Sequence, residues 1–178
     1  MTQDPINLLQ QMQQQSLATA PGLPDEIQAV EMWTGVGFRV GDIHLVTPLD
    51  HVTEVIQYPS LITHVPGAKR WVKGATNVRG NIVPIIDLSD FYSKEPIFID
   101  SRVRLVIIDL EGIECGLLVN EVFGLRHFDE EQEKQKVTGI DDPVMAQVQM
   151  AFLRDNVLWG VYDMYTLIQN ESFRHVHA

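Results

Sequence analysis

The chain has almost no cysteine. Cys115 is the single one in 178 residues, so neither an internal disulfide nor a cysteine-based zinc site can form. Positive charge is also scarce. Lys and Arg number 13 against 24 Asp and Glu, a net charge of −11 with neutral histidines. That balance argues against nucleic acid as the main partner, because phosphate binding needs a large cationic surface. No apolar run approaches the length of a membrane helix, so no direct membrane insertion is expected. The N-terminus has no basic region followed by an apolar one, so it does not read as a secretory signal. Together these absences predict a protein of a reducing, cytoplasmic setting.

Catalytic signatures are missing as well. The six histidines (His44, His51, His64, His127, His175, His177) are scattered without metal-ligand spacing. Gly35-Val36-Gly37 lacks the further glycine and helix of a phosphate loop. No Gly-x-Ser-x-Gly elbow occurs. Cys115 sits in an apolar strand and reads as an inert core thiol. No cofactor, metal or catalytic residue is expected. A small β-barrel enzyme survives only as an alternative whose residues the fold would have to assemble.

What is present is a β pattern. Hydrophobic residues make up 45% of the chain, enough for a buried core. Residues 1–29 stand apart as a glutamine-rich tail broken by Pro21-Gly22-Leu23-Pro24, either disordered or ordered on binding. From Trp33 to Leu167, short Val-, Ile- and aromatic-rich runs alternate with turn residues. Hairpins are predicted around Gly41-Asp42, Arg79-Gly80 and Glu111-Gly112, with another strand over 156–161. Pro84, inside the run Ile82 to Ile86, marks an edge strand or a bulge. Two short helices are predicted, Leu88 to Tyr92 and Met164 to about Ile168. Residues 128–142 hold six acids and read as an exposed connection with at most one helical turn. Residues 171–178 read as a C-terminal tail.

The two halves resemble each other. Each runs from a hairpin to a Val-x-Glu-Val, then to an arginine turn, an apolar strand, an aspartate and a short helix. The glutamates are Glu54 and Glu121, the arginines Arg79 and Arg154, and the aspartates Asp87 and Asp163. The offset is 67 residues at the glutamates and 75 at the arginines, the excess falling in the acidic stretch. The aspartates are predicted helix N-caps. A two-copy repeat of this size predicts two small β-barrel subdomains, about 33–100 and 101–168, adjacent or intertwined within a unit spanning 30–170. Each alone would have a marginal core, so they are expected to pack together.

The first half carries a longer motif. Val52-Thr-Glu-Val-Ile, then Val65-Pro-Gly, then Val72-Lys-Gly-Ala-Thr-Asn-Val-Arg-Gly-Asn-Ile-Val-Pro-Ile-Ile-Asp-Leu88 resembles the CheW family of chemotaxis coupling proteins. Gly116-Leu117-Leu118-Val119 extends the resemblance, which covers about residues 33–168. Asn120 stands where the family commonly has Asp, and Asp155 replaces a turn glycine. With the glutamine-rich extension, these departures resemble the branch of the family found in type IV pilus (twitching) systems. The resemblance implies a mainly β fold of two SH3-like five-stranded barrels with short helices. It implies an adaptor without catalysis, coupling the cytoplasmic tip of a methyl-accepting chemoreceptor to the regulatory domain of a CheA-like histidine kinase. It places the protein in the cytoplasm, recruited to membrane-associated receptor arrays. A barrel that binds the kinase but no receptor is the alternative within the same class.

By motif position, Glu54 and Arg79 correspond to residues linked to receptor coupling, and Val52, Val55, Asn77 and Gly80 join them as candidate binding residues. The residues themselves leave two roles open for Arg79. It is either a turn residue tied to local carbonyls or to Glu54, or a fork of donors offered to a partner. Val52, Val55 and Ile56 fit a groove or the core. The 32 residues from Val55 to Ile86 contain no acid and carry +4, while the rest of the chain carries −15. This basic island, with Trp71, Val65 and Val72 beside it, is expected to receive an acidic partner helix.

Overall fold

The structure is a computed structural model that describes residues 32–129, 134–136, 142–148 and 150–175. The glutamine-rich tail, most of the acidic connection and His177 lie outside the described residues.

Hairpins lay down the framework. Strands β1 (Met32–Val40) and β2 (Ile43–Pro48) form the first, and a 3-10 turn, Leu49–His51, leads to β3 (Glu54–Gln57). Strands β4 (Val72–Val78) and β5 (Asn81–Asp87) form the second and end in helix α1 (Leu88–Phe91). The second half repeats the series with β6 (Arg104–Leu110), β7 (Ile113–Val119) and β8 (Glu121–Asp129). A short β9 (Lys134–Lys136), β10 (Met150–Arg154), β11 (Val157–Val161), α2 (Met164–Gln169) and α3 (Glu171–Arg174) complete it.

Local chemistry explains these elements. At Arg79-Gly80, Glu111-Gly112 and Asp155-Asn156 both turn residues have positive φ. That is the two-residue geometry matching the twist of the flanking strands. The predicted caps are present. Asp87 accepts from the Asp90 N–H at 3.1 Å, and Asp163 from the Tyr165 N–H at 2.9 Å. Asp87 also accepts from the Ile97 N–H at 2.9 Å, tying the following loop to the helix start.

The strands then exchange between halves. One sheet runs β8-β1-β2-β11-β10-β9, the other β3-β6-β7-β5-β4. The first-half hairpin β1-β2 joins second-half strands, with β2 parallel to β11. Reciprocally, the second-half hairpin β6-β7 joins first-half strands, with β7 parallel to β5. The division near residue 100 therefore separates two sequence copies, while each sheet draws on both. The five-strand pattern holds in one sheet, and the three-residue β9 adds a sixth strand to the other.

Burial follows this exchange. Along β6, Leu105 and Ile107 enter a cluster inside the second sheet with Val83, Ile85 and Leu118. Val106 and Ile108, pointing the other way, enter a core shared by both sheets with Phe38, Leu45, Ile86 and Leu117. A third cluster, Val46, Phe128, Phe152 and Trp159, fills the first sheet's concavity. Strands buried on both faces read as continuous apolar runs, which is why strict alternation is absent from them.

Three expectations change. Pro84 lies in β5, which is flanked on both sides rather than at an edge, while a bulge, the other option, falls next to it, where the β4–β5 register shifts between Val72 and Gly74. The ladder to β7 begins one residue later, at Ile85, so the missing proline donor falls outside it. Within the acidic connection, residues 134–136 are a strand paired with Met150–Phe152 rather than plain loop, and most of the stretch that could hold the one helical turn lies outside the described residues. The stretch read as a C-terminal tail opens with α3, capped by Asn170 and anchored by buried Phe173. Among the described residues, no helix is long and apolar enough to cross a membrane.

Candidate functional site

The edges of the second sheet are β3 and β4. Glu54 opens β3 and Arg79 leads the turn out of β4. The Arg79 guanidinium donates to Glu54 Oε1 at 2.8 Å, so an ion pair joins the two edges of one curled sheet. The Arg79 side chain is 79% exposed and that of Glu54 26%. The pair thus leaves most of the arginine fork open to solvent, and the two roles left open for Arg79 coexist in one geometry.

The turn itself is held in shape. Arg79 has φ +52°, a left-handed conformation that costs a residue with a Cβ about 1–2 kcal/mol. Asn77 Oδ1 accepts the Gly80 N–H at 2.9 Å across the turn. Asn81, the next residue, donates to Glu114 on β7. Four of the six candidate residues (Glu54, Asn77, Arg79, Gly80) therefore come together at one end of the second sheet. Beside them Ile82, the cross-strand partner of Asn77, is 77% exposed.

Val55 and Val52 separate from that group. Glu54 faces the turn, whereas Val55 lines a groove with Val36, Arg104, Val122, Gly124 and Leu125. Strands β1 and β8 of one sheet form one wall, and β3 and β6 of the other form the opposite wall. Val52 packs against the shared core, as does much of the motif around it. The sequence reading missed Val36, Leu125 and Arg104. Their positions in the wall follow from the strand exchange, for which no local signal exists.

The second arginine turn is built differently. Arg154 donates to the backbone carbonyl of His127 on β8, again reaching from a turn to an edge strand. Glu121, the repeat counterpart of Glu54, instead pairs with Arg39 at 3.4 Å. Among the described residues, the exposed arginine–glutamate bridge thus exists in one copy only.

The basic island is corrected in two respects. Val72 is buried in the shared core, and Trp71 packs into it with only 9% of its surface exposed, so neither projects as a surface anchor beside Val65. Lys73 lies 2.7 Å from Asp90 and 3.5 Å from Asp87, and Arg70 lies 2.5 Å from Asp90. Two of the four cations thus compensate buried carboxylates of α1 and its cap. Cys115 is buried, and desolvation with the nearby Glu114 charge pushes its thiol up to about 12, which keeps it protonated and unreactive.

An exposed ion pair thus lies on the strand that also lines an apolar groove, on a frame of two curled sheets. The model of the CheW-like domain matches residues 34–172, and the chain belongs to that family. It is 34% identical over 174 residues to protein PilI of Pseudomonas aeruginosa, covering 98% of this chain and 97% of PilI. It is 36% identical over 89 residues to protein FrzA of Myxococcus xanthus, covering 50% of this chain and 55% of FrzA. The crystal structure of the scaffolding protein TtCheW from Thermoanaerobacter tengcongensis superposes with a TM-score of 0.65 at 24% identity. That match covers 78% of this chain and 94% of TtCheW, and it shows the same fold. The family consists of coupling adaptors of chemosensory signalling rather than enzymes.

Proposed function

We propose that this protein couples the cytoplasmic tip of a methyl-accepting chemoreceptor to the regulatory domain of a CheA-like histidine kinase. The pathway would be one that controls type IV pilus (twitching) motility, at receptor arrays on the cytoplasmic side of the membrane. The observation that carries the reading is the Arg79–Glu54 pair, with Val55 of the same strand lining the groove between the sheets. A helical receptor tip needs apolar anchor sites and a few fixed charges to set its register. The groove provides the first. Arg79, held by Glu54 and by the turn that Asn77 and Gly80 lock, provides the second. Val52 supports β3 from the core side. The end-to-end similarity to PilI supports the pilus branch.

The test is pull-down of a receptor-tip peptide and of a kinase regulatory domain, each presented separately to the full chain and to Arg79→Glu. The expected result is loss of receptor capture with kinase capture and the circular dichroism spectrum retained. Unchanged receptor capture, or an unfolded variant, overturns the role given to Arg79. Kinase capture without any receptor capture by the unmodified chain overturns the coupling reading in favour of a kinase-only barrel.

A further inference from the structure

The β4-β5 hairpin has two ends. Arg79 occupies one. At the other, six residues and roughly 20 Å away along the strands, a cleft of about 560 Å³ opens among the loop before β4, helix α1, the segment 143–147 and helix α3. It shares no lining residue with the groove at Val55.

Three kinds of group meet in this cleft. Lys69 and Arg70 supply cationic donors, with the Arg70 side chain 71% exposed. Trp71 and Phe91 supply an aromatic floor, set edge to face at 5.2 Å and backed by Phe173, which stacks on Trp71. The Lys69 ammonium lies 6.0 Å from the Trp71 ring centroid. The third group is Asp90. Its side chain is 1% exposed, and its two carboxylate oxygens are paired with Arg70 at 2.5 Å and Lys73 at 2.7 Å. It therefore anchors the Arg70 fork at the cleft wall rather than receiving a ligand. Gln147, Asn170 and Ser172 add polar side chains at the rim.

We infer that this cleft docks an acidic peptide segment that places one aromatic or aliphatic side chain over Trp71 and Phe91. The combination selects the occupant. Lys69 and the exposed part of the Arg70 fork call for a carboxylate, and the ring floor calls for an apolar side chain. A free inorganic anion satisfies only the first. A peptide carries both. Charge complementarity points the same way at Lys69, which has no ion-pair partner among the described residues, and at Arg70, whose side chain stays 71% exposed beside Asp90.

The probe is a fluorescein-labelled peptide of glutamates around a single phenylalanine, measured by anisotropy on the full chain and mapped by the Trp71 indole resonance. Lys69→Glu is the surface variant, and Ser172→Glu places an acid on the opposite rim without touching the Asp90 ion pairs. Saturable binding that shifts the indole signal is expected. It should fall about tenfold in each variant and more in the double variant, and stay unchanged in Arg79→Glu. Three results overturn the proposal: no saturable binding, binding by both rim variants as tight as that of the parent chain, or full displacement by inorganic phosphate. A signal lost in Arg79→Glu does so too, because it places the peptide at the other end of the hairpin.

Discussion

The hydroxyl oxygens of Tyr92 and Tyr162 lie 2.5 Å apart inside the core shared by the two sheets. Tyr92 follows α1 in the first copy and Tyr162 precedes α2 in the second, so one hydrogen bond ties the copies together where apolar contacts otherwise dominate. Burial pushes Tyr92 up to about 12 and Tyr162 well above its ordinary value. Tyr162→Phe strands the Tyr92 hydroxyl and is expected to cost about 1–3 kcal/mol. The double variant Tyr92→Phe/Tyr162→Phe should recover much of that loss. Urea unfolding of the three variants checks the sign of the coupling.

The same tyrosines set an alkaline limit. Each holds its proton more firmly folded than unfolded. Their contribution is therefore complete below pH 10, the ordinary tyrosine value, and declines as pH rises toward about 12 and beyond. Unfolding midpoints should drop above pH 10 in the parent and drop less in the double variant.

His44 sets the acid side. Its ring stacks on Phe123 at 5.3 Å and meets Trp159 edge on at 5.1 Å. Burial, then Arg39, then Arg126 lower its pKa, against an opposing pull from Glu121. The folded chain thus binds this proton less readily than the unfolded chain. Stability from neutral His44 is full above pH 6.5, the ordinary value, and is lost as pH falls through and below it. Midpoints at about pH 5 and 7.5 should differ in the parent, and His44→Gln should narrow the difference.

The Arg79–Glu54 bridge separates holding from docking. Exposed pairs contribute about 1 kcal/mol or less, so Arg79→Asn is expected to be near neutral, the lost bridge being offset by relief at a left-handed position. The swap Glu54→Arg/Arg79→Glu should restore the bridge across the sheet edges without restoring receptor capture. Thermal melts and pull-down read the two effects separately.

Strand exchange forbids independent halves. Residues 32–100 leave β1-β2 without β8 and β11, and residues 101–175 leave β6-β7 without β3 and β5. Each half expressed alone should give a circular dichroism spectrum without a cooperative melt, and mixing the two should restore one. A folded lone half would contradict the reciprocal pairing.

The legible parts of this fold are those with local causes. Turn residues announced the hairpins, aspartates announced α1 and α2, and the long motif around Asn77-Val78-Arg79-Gly80 announced the family. The Glu54–Arg79 pairing was legible as one of two options. The groove was half legible: Val55 was a candidate, but Leu125 and Val36 reach it only because β8 and β1 pair, a contact between residues about 90 apart in sequence. Helix α3 was missed because a single turn around Phe173 has no periodicity to read. The basic island misled because its charges were counted without their partners. Asp87 and Asp90 lie just past its end in sequence, and the hairpin folds them back onto Lys73 and Arg70.

The parallel contacts β2–β11 and β5–β7 bear on inheritance. If the copies arose by duplication, neither could afterwards diverge alone, because every change at Leu45 or Gly160, or at Ile85 or Gly116, is felt by strands of both. At Gly160 a methyl group would come within 2.9 Å of Val148 and 3.2 Å of Leu45, so a substitution in the last strand is answerable to the second strand of the chain. Drift is therefore channelled to turns and clefts outside these ladders, where Arg79 and Arg154 already differ in their partners.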